Sequence, residues 1–101
     1  MAITPVVLYR GNAPITSLSG IYTTPTGTTV LTNMVVTNNA TSTATFGVTI
    51  SGFYVIASGT TIAANTTAFF DVKQVITSGT TVSGIASTVS VAFNFSGVNI
   101  V

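Results

Sequence analysis

The segment VSVAFNFS, residues 89–96, alternates apolar and polar side chains along its whole length. Successive side chains of an extended strand point to opposite faces of a sheet, so this pattern predicts a strand with one buried face. After Gly97 the apolar positions shift to Val98 and Ile100, which predicts a β-bulge at the glycine. The end of the sequence is therefore expected to form a long, half-buried strand.

Similar alternation occurs at residues 30–36, 44–50 and 68–73, with a weaker example at residues 82–86. These stretches are rich in Thr, Val and Ile, whose branched side chains favour the pleated surface of a sheet. The polar link at residues 38–42 predicts a hairpin between the first two of these strands.

Together these patterns predict an all-β fold. We expect a single β-sandwich, Ig-like or jelly-roll-like, of about seven to eight mostly antiparallel strands. Residues 1–19 are expected to supply an N-terminal edge strand and an extended arm, and residues 20–101 the β-sandwich domain. Residues 75–77 are expected to form one helical turn or a loop.

The composition argues against catalysis. The 101 residues include no His, Cys or Trp, and the only charged side chains are Arg10, Asp71 and Lys73. General acid–base catalysis and metal binding need His, Cys or several carboxylate groups. We therefore expect a protein that is not an enzyme and that binds no cofactor or metal. Asp71 and Lys73 are expected to form an exposed pair on one side of a strand.

Charge and hydropathy also bear on the partners. The chain is 47% hydrophobic with a mean hydropathy of +0.74. Its longest apolar run, residues 53–57, is far shorter than the about 20 residues of a membrane-spanning helix. We expect no membrane partner and no signal peptide. A net charge of +1 is too small to neutralise many phosphates, so we expect no nucleic acid partner.

The predicted strands carry few features that discourage association. Sandwich proteins usually protect their edge strands with Lys, Pro or inward-pointing charge, and those residues are scarce here. Such a chain either aggregates or has its edges and apolar patches covered by neighbours in an ordered assembly. The residues predicted to make such contacts are Tyr9, Arg10, Phe53 and Tyr54.

Two adjacent segments, IYTTPTGTT at residues 21–29 and VLTNMVVTN at residues 30–38, resemble a group of small β-sandwich virion proteins of tailed bacteriophages. In that group a Tyr-Thr-x-Pro-x-Gly-Thr-Thr turn opens a strand that ends in Val-x-Asn. IAANT at residues 62–66 and TSGTTV at residues 77–82 look like later turns of the same group, so the resemblance covers residues 20–101.

The resemblance implies a structural component of the virion that is made in the host cytoplasm. The first expectation is a capsid decoration, or cement, protein. It would bind the major capsid protein on the outer head surface as a homo-oligomer such as a trimer, and stabilise the shell. The second is a tail or fibre structural or adhesion protein. A carbohydrate-binding module, with Tyr22 or Tyr54 as a stacking platform, is the alternative from another class.

Overall fold

The computed structural model describes residues 3–71 and 73–101, and within these ranges every regular element is a β-strand. The all-β prediction is confirmed. The described residues form nine strands: β1 (Ile3–Asn12), β2 (Ser19–Thr23), β3 (Thr28–Asn38), β4 (Ala44–Ile50), β5 (Phe53–Ile62), β6 (Thr66–Phe70), β7 (Gln74–Thr77), β8 (Thr81–Ala86) and β9 (Val91–Ile100).

The strands form two antiparallel sheets that pack as a β-sandwich. Sheet A has the order β1-β9-β3-β6, with β7 also paired to β3, and sheet B has the order β2-β8-β4-β5. β6 pairs with one end of β3 and β7 with the other, so these two short strands lie end to end along one edge. Counted as one interrupted strand, they give eight strands in the order of a jelly roll.

Two local predictions are wrong. β3 and β4 do not form a hairpin, because the link at residues 39–43 crosses from sheet A to sheet B. The hairpin instead joins β4 to β5. Ser51 and Gly52 both have positive φ, at 54° and 82°, which gives the two-residue turn the twist that hairpins favour.

Residues 75–77 lie in a strand, β7, where a helical turn or a loop was expected. They pair in register with residues 28–30 of β3, which satisfies their backbone groups without a helix. Val89 lies in the turn before β9 and is exposed, although the alternating pattern placed it in the strand. The strand position expected at Val72 lies outside the described residues.

Aromatic side chains fill the space between the sheets. Phe46 of β4 meets Phe70 and Phe93 of sheet A edge to face, with ring centroids 5.8 Å and 6.3 Å apart. Phe93 stacks on Phe95 at 5.1 Å. Each edge-to-face pair adds about 1 kcal/mol to the stability gained by apolar burial. Phe46 of sheet B therefore packs against two strands of sheet A, β6 and β9.

The bulges beside β9 lie in its two neighbours, and not in β9 as the sequence pattern suggested. On the β3 side, Leu31 and Asn33 pair with consecutive residues of β9, which leaves Thr32 as the extra residue. On the β1 side, Leu8 is the extra residue. Both irregularities fall opposite residues 95–97, but β9 itself is continuous, so the predicted bulge at Gly97 is wrong. Val98 and Ile100 lie on the face of β9 opposite to Phe93 and Phe95.

Candidate interaction surfaces

The described residues contain no cluster of three His, Cys, Asp or Glu side chains. Two of the charged residues form an exposed ion pair, with Lys73 Nζ 2.7 Å from Asp71 Oδ1. The pair was expected on one side of a strand, but both residues lie in the break between β6 and β7. The third, Arg10, points its Nε at Asn94 Oδ1 at 3.4 Å on the surface of sheet A. Reactive groups are therefore sparse and separated in the described part of the chain.

The outward face of sheet A carries a row of apolar residues that runs across the sheet from β7 through β3 and β9 to β1. Val75 of β7 pairs with Val30, Val30 pairs with Val98, and Val98 pairs with Pro5 of β1. The residues next to these along the strands, such as Leu31, point inward and are buried. All four members of the row therefore lie on the outer side of the sandwich.

Other apolar residues extend this row in both directions along the strands. By register and alternation we define the outer face of sheet A by these apolar residues: Ile3, Pro5, Val7, Val30, Val35, Phe69, Val75, Val98 and Ile100. Phe69 is 77% exposed and Val75 is 68% exposed. Large apolar side chains exposed together in this way mark an interaction surface more often than an ordinary monomer surface.

The polar residues on the outer face of sheet A are about as many as the apolar ones, and most are paired with one another. Asn33 and Ser96 share a short hydrogen bond across β3 and β9. The Thr37 and Thr67 hydroxyl groups are 3.3 Å apart across β3 and β6. Arg10 is the one charged residue within the strands of this face, at the end of the row formed by Phe69, Val35 and Asn94.

A second exposed apolar site lies at the beginning of β5, on the edge of sheet B. Phe53 is 78% exposed and Tyr54 is 52% exposed. They follow the tight β4–β5 turn, which holds the two side chains at one end of the sandwich. Farther along β5 the strand bulges at residues 57–59, where Ser58 lies against Gly47 of β4. The two aromatic residues are therefore part of an edge strand that contains no charged residue.

The four residues predicted as contacts do not come together. Tyr9 and Arg10 are in β1, and Phe53 and Tyr54 are in β5. β1 borders β2 and β5 borders β6 across the sandwich, so the two pairs lie on opposite edges. Tyr9 also differs from Arg10, because its ring faces inward against the core and its hydroxyl group donates a 2.6 Å hydrogen bond to the Asn12 carbonyl.

The sequence interpretation did not select Phe69 and Val75, the most exposed apolar residues in the strands of sheet A. A signal for Phe69 was present, because it alternates with the apolar positions at Ala68 and Phe70 and shares its phase with Asp71. A large aromatic residue on the same side as a charge is expected to face solvent.

The expected carbohydrate platform is only partly available. Tyr22 packs on the core, and its hydroxyl group lies 3.0 Å from the Thr29 hydroxyl group. Tyr54 is exposed on the β5 edge. A shallow depression of about 220 Å³ lies on sheet B between Ile15, Phe46 and Ile85, with Ser and Thr hydroxyl groups around it.

Comparisons with protein families, curated proteins and solved structures found no match to this chain. Among the described residues, no helix is long and apolar enough to cross a membrane.

Proposed function

We propose that this chain is a structural protein of a bacteriophage virion. In this proposal it is a capsid decoration protein that binds the outer surface of the head as a homo-oligomer and stabilises the shell. The observation that carries the proposal is the presence of two separate apolar surfaces, the outer face of sheet A and the Phe53–Tyr54 site, on a chain with three charged side chains.

A protein that stabilises a shell must hold two neighbours at once, so it needs at least two contact surfaces. Here the outer face of sheet A covers one side of the sandwich, and Phe53 and Tyr54 lie at the opposite sheet's edge. Burial of such surfaces contributes about 25 cal/mol per Å² of apolar area removed from water. Both surfaces can therefore contribute binding energy without any ionic contact.

The fold is compatible with the proposal but does not distinguish it from its alternatives. Jelly rolls occur in viral capsid proteins and in lectins, and one fold supports many functions. The specific support for a virion component is the resemblance at residues 21–38. In the structure this stretch forms the end of β2, the turn at Gly27 and the whole of β3, which is one of the two interior strands of sheet A.

The proposal is tested on particles of the phage that encodes the chain. Quantitative mass spectrometry of purified particles should find the chain at a copy number of the same order as the major capsid protein. Labelled antibodies should mark the head in electron micrographs. A low copy number with label on the tail would assign the chain to a tail or fibre, and absence from the particle would overturn the proposal.

Shell stabilisation is a separate readout. Heads assembled without the chain should release their DNA at a lower temperature than heads to which the purified chain has been added back. A Phe53→Ser/Tyr54→Ser variant should bind the heads less tightly, because the apolar area at the β5 edge is lost. The matched control is Val89→Ser, which removes an exposed apolar side chain from the turn before β9.

A further inference from the structure

We propose that the outer face of sheet A is the contact between two copies of this chain, packed face to face about a two-fold axis parallel to the strands. The inference deepens the proposed function by naming the partner at one of its two surfaces. The dimer can be measured with purified protein alone, so its failure is distinguishable from failure of the virion assignment.

The size of this face suits a second copy. β1 and β9 each have 10 residues and β3 has 11, with β6 and β7 completing the fourth position. At about 3.4 Å per residue and about 4.8 Å between strands, four such positions present a face of about 650 Å². A standard interface buries about 800 Å² per partner, measured over projecting side chains. One copy of the same face can therefore supply the required area.

The arrangement of side chains on the face is self-complementary. Rotation about a two-fold axis parallel to the strands reverses the order of the strands in the second copy. It does not change the position of a residue along the strand direction, so each cross-strand row faces the same row of the second copy. The apolar row formed by Val75, Val30, Val98 and Pro5 then packs on the same row of the second copy in reverse order. Val30 of each copy packs on Val98 of the other, and Val75 packs on Pro5. Apolar side chains therefore meet apolar side chains across the whole row.

The single charged residue in the strands of this face also finds a suitable partner. Arg10 and Phe69 are at opposite ends of one cross-strand row. Asn94 and Val35 lie between them in that row. Reversal of that row places each Arg10 over Phe69 of the second copy, where a guanidinium group on an aromatic ring is attractive. The two Arg10 backbones are about 17 Å apart, because three strand spacings of about 4.8 Å combine with about 10 Å between the sheets, so the two charges do not repel each other strongly.

The edges of sheet A are less suited to joining copies by strand pairing. The β6–β7 edge is interrupted between Phe70 and Gln74 and carries the Asp71–Lys73 ion pair. The β1 edge contains Pro5, which has no backbone N–H group, and a bulge at Leu8. Interrupted, charged and bulged edges oppose strand addition, whereas the face has no such obstacle.

The register of the dimer can be tested by thiol cross-linking, because the chain contains no Cys. In an Arg10→Cys/Phe69→Cys variant the thiols of facing copies are carried by sheets about 10 Å apart, so a short bifunctional thiol reagent should join the two copies covalently. Within one copy the same two positions are three strand spacings, about 14 Å, apart, which is beyond the reach of a reagent matched to about 10 Å between Cα atoms. The control is Arg10→Cys/Val89→Cys, whose second position is exposed outside sheet A. Equal cross-linking of both variants, or none in the first, would overturn the register.

The dimer itself is tested by sedimentation at protein concentrations up to about 100 μM, above the Kd expected of interfaces this size. The wild-type chain should sediment at twice 10.2 kDa. Val75→Lys should raise the dimer Kd by at least about tenfold because it buries an unpaired charge at the face. Val89→Lys should leave it unchanged. Thermal melts should show both variants folded, and a wild-type monomer at the highest concentration would overturn the inference.

Discussion

Among the glycines of the described residues, Gly97 has the least room for a side chain. It pairs with Leu31 at the point where β3 bulges at Thr32, and this bulge brings the β3 backbone onto the Gly97 Cα. A Cβ atom at Gly97 would overlap the carbonyl oxygen of Val30. Because a backbone group cannot rotate away as a side chain can, a larger residue must displace β3 or β9.

We predict that Gly97→Ala lowers the free energy of unfolding by about 1 to 3 kcal/mol. The matched control is Gly11→Ala in the neighbouring strand β1, where the nearest atoms to a new Cβ belong to the Tyr9 side chain at 3.6 Å or more. That change should shift stability by less than about 1 kcal/mol. Urea denaturation of both variants measures the difference, and equal effects would show that the close approach of β3 is unimportant.

The Gly97 position illustrates what alternation along a sequence can and cannot predict. The change of phase around Gly97 predicted a bulge in β9, but the extra residues are Thr32 and Leu8 in the neighbouring strands. β9 keeps one alternation, and Val98 and Ile100 are apolar because they belong to the outer face of sheet A. Within one strand, apolar residues on an outer face and a bulge give the same sequence pattern, so pairing information is needed to separate them.

At the scale of elements, the edge formed by β6 and β7 is where charge and strand geometry act together. Asp71 and Lys73 separate strands of five and four residues that otherwise continue along β3. Both charged side chains are well exposed, so the ion pair adds little to folding stability. Their location at the break instead opposes pairing with a strand of another molecule.

We predict that Asp71→Thr/Lys73→Thr changes the free energy of unfolding by less than about 0.5 kcal/mol but increases aggregation. The net charge stays at +1, because one negative and one positive residue are removed together. Light scattering during prolonged incubation at high concentration measures the effect.

The matched control is the exchanged pair, Asp71→Lys/Lys73→Asp, which keeps both charges at the edge. It should remain as soluble as the wild-type chain. If the Thr variant is equally soluble, the charged break does not protect this edge.

The strands could be predicted from the sequence, but the sheet to which each belongs could not. Alternation identified the strands around Met34 and Phe46, and the five-residue link between them suggested a hairpin. Instead, the buried Asn38 side chain donates to the carbonyl groups of Ser42, at 2.9 Å, and Ile62, at 3.2 Å. These bonds hold the link as it crosses to sheet B, and an Asn in a polar turn does not reveal such distant partners.

The same limit applied to the candidate contact residues. Their exposure depended on which way each strand faces after pairing, so adjacent residues Tyr9 and Arg10 were grouped although they lie on opposite faces of sheet A. Phe53 and Tyr54, which were also named as contacts, are exposed at the strand end that follows the β4–β5 turn, and contact through them stays a prediction. The apolar row on sheet A could not be predicted from the sequence, because its residues are brought together only by the register of the strands.

At the scale of the whole molecule, the chain combines a well-packed interior with a surface that offers little charge. Three charged side chains are distributed over a sandwich about 46 by 21 by 18 Å, and two of them neutralise each other. Salt weakens contacts between exposed charges and has little effect on apolar burial. The response of attachment to salt therefore distinguishes the two kinds of contact.

If the chain is the capsid decoration protein proposed above, we predict that it stays on phage heads during a wash in about 1 M NaCl, where the screening length is about 3 Å. Sodium sulfate should strengthen attachment, because such salts favour burial of apolar surface. The bound amount is measured by gel densitometry after sedimentation of the heads, relative to the major capsid protein. Arg10→Gln should bind in the same salt-independent manner if ionic contact is unimportant. Quantitative release of the wild-type chain by NaCl would show instead that one of its few charges carries the attachment, because apolar contacts would survive that wash.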